Sequence, residues 1–235
     1  MKESETPRVI CWDLDETLGN FRPIGYEMME KELPSFIEPT SIRYGISDLL
    51  TELSEAGYRH YITTSGSYDY AQEVLFRTDL AKNFTGVFGR ETISNPYGGK
   101  MYQPVIDSEN MTRDEARSNM IVVGDAPGDM PTDIEGLVFI HQDAGHKYDA
   151  LVIREILVAL LEAGDGSFKT GFEKLYSTTI PQRPDVQKRF QQRVLDLGNG
   201  ISFEMTYKEK TMDMLDDDEI VPVIERIFAP DYKRE

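Results

Sequence analysis

Cysteine is nearly absent from this chain of 235 residues, because Cys11 is the only one. An intrachain disulfide is therefore excluded, and a reducing compartment such as the cytoplasm is favoured. Cys11 lies inside the apolar run VICW, which predicts a buried core residue rather than a nucleophile.

Long apolar runs are also lacking, since none approaches the roughly 20 residues of a membrane-spanning helix. The longest candidate, residues 151–161, contains Arg154 and Glu155. The first residues, MKESETPRVI, have no apolar core of the kind found in secretory signals. We therefore expect no membrane partner.

Positive charge is scarce: 25 Lys and Arg stand against 42 Asp and Glu, a formal net charge of −17. Without a basic cluster, nucleic acid and anionic membranes are disfavoured as main partners. A phosphorylated small molecule or phosphoprotein stays open as substrate, because a bound metal ion can reverse the local charge. The oligomeric state has no signal in the sequence.

Short apolar strands alternate with amphipathic helices from residue 8 to about residue 164, which predicts a mostly parallel sheet covered on both faces. The fold class is therefore α/β, a Rossmann-like doubly wound sheet. The predicted strands are 9–12, 58–63, 86–89, 120–123 and 137–141, and the predicted helices are 46–56, 68–76, 112–118 and 147–163. Thr112 and Glu115 have the spacing of a capping box for the third helix.

The remaining residues, 165–235, predict an α+β appendage packed on a catalytic domain formed by 1–164. Helices are predicted at 167–176, 185–197 and 220–228, the last after an acidic run. Strict alternation over 201–208 predicts a half-buried strand, antiparallel or at an edge.

In parallel sheets of this kind, ligands bind beyond the carboxyl ends of the strands. The residues predicted at those ends are Asp13, Asp15, Thr63 to Ser67, Gly124 and Asp125. Polar side chains thus gather at one rim of the sheet.

Asp13, Asp125 and Asp129 suit Mg²⁺, a hard cation that prefers oxygen ligands. Loops counted from Asp13 or from Asp125 lack the Gly and Glu of a calcium-binding EF-hand. Zinc is disfavoured, because a single cysteine and three histidines show no ligand spacing.

Asp13 and Asp15 could also act as a catalytic pair. A carboxylate can attack phosphorus and form an aspartyl-phosphate, provided that a cation screens the repulsion between the two anions. Two residues further along an extended chain, Asp15 points to the same side and can serve as a general acid.

These residues occur as Asp13-Leu14-Asp15-Glu16-Thr17 and as VVGDAPGD, with Asp125 and Asp129. In this arrangement the sequence resembles the haloacid dehalogenase superfamily of phosphohydrolases, with its motifs DxDx[TV] and GDxxxD. Its second motif, a Ser or Thr that ends a strand, matches Thr64 in YITTSGS, with Thr63 as the competitor. Its third motif, a lysine, matches Lys100 in GGKMYQP. The resemblance spans roughly residues 8–164.

Alternatives accompany two of these matches. Arg113 or Arg117 could reach the site in place of Lys100, and Asp133 could replace Asp129 as the outer carboxylate. Asp129 could instead cap a helix.

The resemblance implies a role for each residue. Asp13 is the nucleophile and a metal ligand, and Asp15 is the general acid and base, with its backbone carbonyl on the metal. Thr64, Ser65 and Lys100 bind the substrate phosphate, and Lys100 also neutralises charge on Asp13. Asp125 and Asp129 anchor Mg²⁺. An acidic residue at position 15 favours a Mg²⁺-dependent phosphatase over a dehalogenase.

Members of this family choose their substrates with a cap domain. Residues 64–100 leave no room for a large cap, while residues 19–44 could form a flap or a small lid, so a capless or small-cap type is expected. The predicted function is hydrolysis of a phosphomonoester through an aspartyl-phosphate. The alternatives are a non-catalytic regulatory or binding protein on the same scaffold, and a phosphotransferase that uses the same site.

Overall fold

A computed structural model of the chain describes residues 6–96, 99–134, 137–141, 149–179 and 201–202. Its strands are β1 (Arg8–Trp12), β2 (Gly19–Asn20), β3 (Ser41–Ile42), β4 (Tyr58–Thr63), β5 (Gly86–Phe88), β6 (Met120–Gly124), β7 (Val138–His141) and β8 (Ile201–Ser202). Its helices are α1 (Arg22–Met28), α2 (Ile46–Glu55), α3 (Tyr68–Arg77), α4 (Arg90–Ile93), α5 (Gln103–Glu109), α6 (Arg113–Asn119), α7 (Asp149–Ala163) and α8 (Phe168–Thr179).

The main sheet has the strand order β5-β4-β1-β6-β7-β8, and every pair in it is parallel. The predicted α/β fold with a parallel sheet is thereby confirmed. β1 lies at the centre, between β4 and β6, so the chain that leaves β1 is flanked by the ends of both neighbours.

Alternating side chains of β1 enter two separate cores, one on each face of the sheet. Ile10 and Trp12 belong to the larger core, which α2, α3, α7 and α8 help to build. Val9 and Cys11 belong to the smaller core under α5 and α6. Cys11 is fully buried, and burial raises the pKa of its thiol, as expected for a core residue.

Several predicted elements are observed with boundaries within about two residues. Helix α2 buries Ile46, Leu49, Leu50 and Leu53 on one face, and the capping box of Thr112 and Glu115 begins α6. Helices α1, α4 and α5 have at most seven residues, too few to show a hydrophobic period, and the sequence patterns did not predict them as helices.

Residues 19–44 form a small structure of their own. Strands β2 and β3 pair antiparallel, and α1 lies between them along the chain. A Cβ atom on Gly19 would lie 2.2 Å from the carbonyl oxygen of Ser41, so this close pairing requires glycine.

In the predicted appendage, α8 packs on α7, and its residues Phe168 and Phe172 join the larger core. Ile201–Ser202 pairs with β7 at the sheet edge, in a parallel rather than an antiparallel arrangement. The predicted helices 185–197 and 220–228 lie outside the described residues, and the division at residue 164 stays a prediction. Within the described part of the chain, no helix combines the length and the apolar character needed to cross a membrane.

Candidate active site

Three strand ends meet at the rim where the sequence predicted the site. Asp13 follows β1, Thr64 follows β4 and Asp125 follows β6. The backbone N–H of Asp13 donates to the carbonyl oxygen of Val123 at 2.9 Å, which continues the β1–β6 ladder up to the first carboxylate.

Asp13, Asp125 and Asp129 form a carboxylate cluster. Each offers an oxygen atom, and these atoms lie within 4.8 Å of one another. Asp13 and Asp129 are buried, while Asp125 is half-buried. Burial raises the pKa of Asp13 to about 8; the charges of Asp129 and Asp125 act in the same direction, while Lys100 opposes them. Burial, together with the charge of Asp129, also raises the pKa of Asp125.

Gly124 allows Asp129 to fold back onto the end of β6. A Cβ atom at Gly124 would lie 2.5 Å from Oδ2 of Asp129, so a larger residue would displace this carboxylate. The same oxygen accepts the backbone N–H of Ala126 at 2.9 Å. No helix follows Asp129 at residues 130–134, so the helix cap considered for it is wrong; its hydrogen bond to Ala126 instead orients a residue of the cluster.

Lys100 is the cation of the site, and its side chain is only 2% exposed. Its Nζ donates to Asp13 Oδ1 at 2.5 Å and to the carbonyl oxygen of Thr63 at 2.6 Å, and it lies 2.6 Å from Asp129 Oδ1. Burial lowers the pKa of the ammonium group, but Asp13 and Asp129 raise it by more, so Lys100 stays charged.

Backbone contacts hold the Lys100 segment against the chain that follows β6. The N–H of Thr132 donates to the carbonyl of Lys100 at 3.0 Å, and Gly99 turns the chain with a φ of +76°. The two arginines considered as alternatives are engaged elsewhere. Arg113 donates to Gln103, and Arg117 pairs with Asp114 on the surface.

Thr63 and Thr64 differ in what their hydroxyl groups contact. Thr63 donates to the carbonyl of Trp12 at 3.3 Å within the sheet. Thr64 accepts the N–H of Gly66 at 3.0 Å, which leaves its hydroxyl hydrogen available to a ligand. Ser65 is exposed in the same turn. The contacts therefore favour Thr64 over Thr63 as a phosphate donor.

Two hydroxyl groups that the sequence analysis did not assign contact the predicted acids. Tyr70 Oη donates to Asp15 Oδ1 at 2.7 Å, and Thr17 Oγ1 donates to Asp125 Oδ1 at 3.1 Å. Burial raises the pKa of Asp15, while the Tyr70 hydrogen bond partly opposes this effect. Tyr70 lies 55 residues away from Asp15, so no local spacing could have revealed the contact.

Asp133 has a structural role instead of the outer-carboxylate role considered for it. Its carboxylate accepts the backbone N–H groups of Tyr102 and Gln103 at 2.8–3.0 Å, at the start of α5. Tyr102, fully buried, donates its hydroxyl to the carbonyl of Asp129 at 2.6 Å. Asp133 therefore caps α5, and the adjacent Tyr102 links the start of that helix to Asp129 of the carboxylate cluster.

The residues present fit a divalent cation. Three carboxyl groups converge, and burial with mutual repulsion raises the pKa of Asp13 and of Asp125, an effect that a bound cation would reverse. The donor set consists of carboxylate oxygens, which Mg²⁺ prefers.

One known protein family matches part of the chain. Residues 30–133 match the family described as haloacid dehalogenase-like hydrolase. This segment of the chain is therefore similar to that family. The match covers somewhat less than half of the chain and begins after Asp13 and Asp15, so the assignment of those two residues depends on the site geometry. No curated protein matches the sequence significantly.

Solved structures similar to this chain include a haloacid dehalogenase-like family hydrolase from Streptococcus pneumoniae. The two sequences are 20% identical, the alignment covers 63% of this chain and 90% of that one, and the TM-score is 0.44. A haloacid dehalogenase-superfamily hydrolase from Ehrlichia chaffeensis is 15% identical, with an alignment that covers 65% of this chain and 98% of that one and a TM-score of 0.46. A predicted phosphoglycolate phosphatase from Haemophilus somnus is 14% identical, with an alignment that covers 62% of this chain and 89% of that one and a TM-score of 0.45. At such low scores, these likenesses assign neither substrate nor mechanism to this chain.

Proposed function

We propose that the protein is a Mg²⁺-dependent phosphatase that hydrolyses a phosphomonoester through an aspartyl-phosphate on Asp13. The observation that carries this proposal is the convergence of Asp13, Asp125 and Asp129 around one point, with Lys100 bonded to Asp13.

In the first step, a carboxylate oxygen of Asp13 attacks phosphorus and the bond from phosphorus to the leaving oxygen breaks. Asp15 gives its proton to that oxygen, and an alcohol departs. In the second step, the Asp15 carboxylate takes a proton from water, which attacks the phosphorus. The acyl-phosphate bond then breaks, and inorganic phosphate leaves with Asp13 restored.

Mg²⁺ would be held by Asp13, Asp125 and Asp129, with the backbone carbonyl of Asp15 as a further predicted ligand. When bound, it would screen the repulsion between the carboxylate and the phosphate dianion. Thr64 and Ser65 would donate to phosphate oxygens from the turn after β4.

Lys100 supports the first step by neutralising Asp13. Its three ammonium protons are matched by three protein oxygens, on Asp13, Asp129 and Thr63. This arrangement favours charge compensation, and contact with the substrate phosphate requires Lys100 to exchange one of these partners.

A phosphatase assay tests the proposal. Purified protein would be assayed with sugar phosphates, nucleotides, phosphoamino acids, phosphopeptides and p-nitrophenyl phosphate, with Mg²⁺ and with EDTA. We expect turnover that EDTA abolishes and that Asp13→Asn eliminates. Asp114→Asn, which alters an exposed carboxylate paired with Arg117, should leave turnover unchanged.

A covalent label from a phosphorylated substrate, lost in Asp13→Asn and cleaved by hydroxylamine, would support the aspartyl-phosphate. Absence of turnover by the Mg²⁺-loaded protein across the panel would contradict the proposal. Release of a phosphorylated acceptor instead of inorganic phosphate would indicate a phosphotransferase. The substrate, small molecule or phosphoprotein, and a cytoplasmic location remain predictions from the sequence.

A further inference from the structure

Tyr70 contacts the predicted general acid from a distant part of the chain. It lies in the first turns of α3, and its hydroxyl donates to Asp15 Oδ1 at 2.7 Å. Burial and the charges of Asp15 and Asp13 raise the pKa of this hydroxyl, so it stays protonated and can only donate to the carboxylate.

The ring of Tyr70 packs closely against the backbone of two glycines. A Cβ atom at Gly66 would lie 2.7 Å from Cδ1 of the ring, and one at Gly25 would lie 3.3 Å from Cε2. Gly66 belongs to the turn after β4, and Gly25 belongs to α1. The ring is therefore packed between the turn after β4, which carries Thr64 and Ser65, and helix α1.

The packing of α1 on α3 is reinforced at the surface. Arg77 of α3 donates to both carboxylate oxygens of Glu27 of α1, at 2.7 and 3.1 Å. Bidentate pairs of this kind fix relative orientation as well as distance. Helix α1 thus helps to fix the position of Tyr70.

The hydrogen bond also distinguishes the two oxygens of Asp15. Since Oδ1 accepts the proton of Tyr70, a protonated Asp15 keeps its own transferable proton on Oδ2. The backbone N–H of Phe21 also bonds to this carboxyl group, so loss of Tyr70 leaves one restraint and lets the proton occupy either oxygen more readily. Proton transfer depends strongly on such alignment, because the acid must lie within hydrogen-bond reach of the leaving oxygen.

We propose that Tyr70 is a positioning residue that orients the carboxyl group of Asp15 for proton transfer to the leaving group. The proposal rests on the proposed phosphatase function. It assigns no contact between Tyr70 and the substrate.

Tyr70→Phe tests this, because it removes the hydroxyl and keeps the ring. The value of kcat/KM reports the steps up to phosphoryl transfer, and it would be measured for an alkyl phosphate and for p-nitrophenyl phosphate. An alkoxide leaving group needs a proton from Asp15, whereas nitrophenolate departs without one. We expect a loss of roughly 10-fold or more for the alkyl phosphate and of less than about 3-fold for p-nitrophenyl phosphate.

Tyr68→Phe is the matched control, since Tyr68 is half-exposed on the same helix and should leave both values unchanged. Both substrates are assayed on one preparation, so the ratio does not depend on the fraction of variant that folds. Equal losses for both substrates, or no loss for either, would overturn the role of Tyr70 while the phosphatase function stands. A wild-type protein inactive across the whole phosphate panel would overturn the function and this inference together.

Discussion

The Nζ atom of Lys100 lies 2.5 Å from Oδ1 of Asp13, although 87 residues separate them in the chain. Both side chains are almost completely buried. Among the described residues, Lys100 is the only cation in contact with the carboxylate cluster, and it is bonded to the predicted nucleophile itself. Its position makes the electrostatics of the site testable through metal binding and stability.

Replacing Lys100 by Met keeps a long side chain and removes the charge. The carboxylates then repel one another without compensation, so we expect the metal-free protein to lose about 3 kcal/mol of unfolding free energy. Added Mg²⁺ should stabilise this variant by more than it stabilises the wild type, and activity should fall by roughly 100-fold or more. Chemical denaturation with and without Mg²⁺ measures the first two effects.

The control for that experiment is Lys82→Met, because Lys82 is exposed and its ion pair is with Asp79, far from the carboxylate cluster in the chain. It should change stability by less than about 1 kcal/mol and leave the response to Mg²⁺ unchanged. A Lys100→Met protein that responds to Mg²⁺ no more than the wild type would refute the compensating role of the lysine.

Asp125→Asn separates metal binding from stability. Removing one charge from a crowded cluster relieves repulsion, so the metal-free variant should be at least as stable as the wild type. Its stabilisation by Mg²⁺ should shrink, since a ligand set with less charge binds the cation at least about 10-fold more weakly. Thermal unfolding over a Mg²⁺ titration measures both quantities.

Asp133→Asn provides the comparison, because Asp133 caps α5 and lies outside the carboxylate cluster. Its Mg²⁺ response should match that of the wild type, while Asp133→Ala should cost about 1 kcal/mol through loss of the cap. If Asp133→Asn weakened the Mg²⁺ response as much as Asp125→Asn does, the assignment of the outer ligands would be wrong.

Gly124→Ala tests why glycine precedes Asp125. The added methyl group would meet the Asp129 carboxylate at 2.5 Å and push it out of the cluster. We expect a loss of about 10-fold or more in Mg²⁺ affinity, with a destabilisation of about 1–3 kcal/mol. Gly128→Ala, whose methyl group would meet no atom of the described residues within 4 Å, should keep wild-type affinity. Equal affinities for the two variants would argue against this steric explanation.

His60 predicts a pH dependence of stability. It accepts the indole N–H of Trp12 at Nδ1, and burial lowers its pKa from 6.5 to about 4. Below about pH 6.5 the unfolded chain binds a proton that the folded protein excludes, so stability falls as the pH drops toward 4 and then levels off. The contribution is on the order of 3 kcal/mol.

His60→Gln removes the titration and keeps an acceptor for Trp12. The other ionisable groups are common to both proteins, so the difference between their stability curves isolates His60. We expect the wild type to lose stability more steeply between pH 6.5 and 4 than the variant does. Parallel curves in urea denaturation over that range would show that His60 titrates normally.

Much of the fold follows from local patterns. The strand 58–63 and the buried face of α2 were predictable because a hydrophobic period survives wherever an element is long enough to show it. Helices α4 and α5 were not predicted, and α1 lies in the segment predicted as a flap or small lid, because all three are too short to show that period. At α5 the Asp133 carboxylate, which is distant in sequence, completes the start of the helix.

By itself, the sequence determined the order of strands and helices, the rim at which Asp13, Asp15, Thr64 and Asp125 lie, and the family resemblance. Only the tertiary structure decided which polar groups meet. It selected Lys100, which the resemblance implied, over Arg113 and Arg117 as the partner of Asp13. It also directed Asp133 to the cap of a helix and joined Tyr70 to Asp15. The physical reason is that an apolar period is a local property of the chain, whereas these hydrogen bonds join residues brought together only when the helices pack on the sheet.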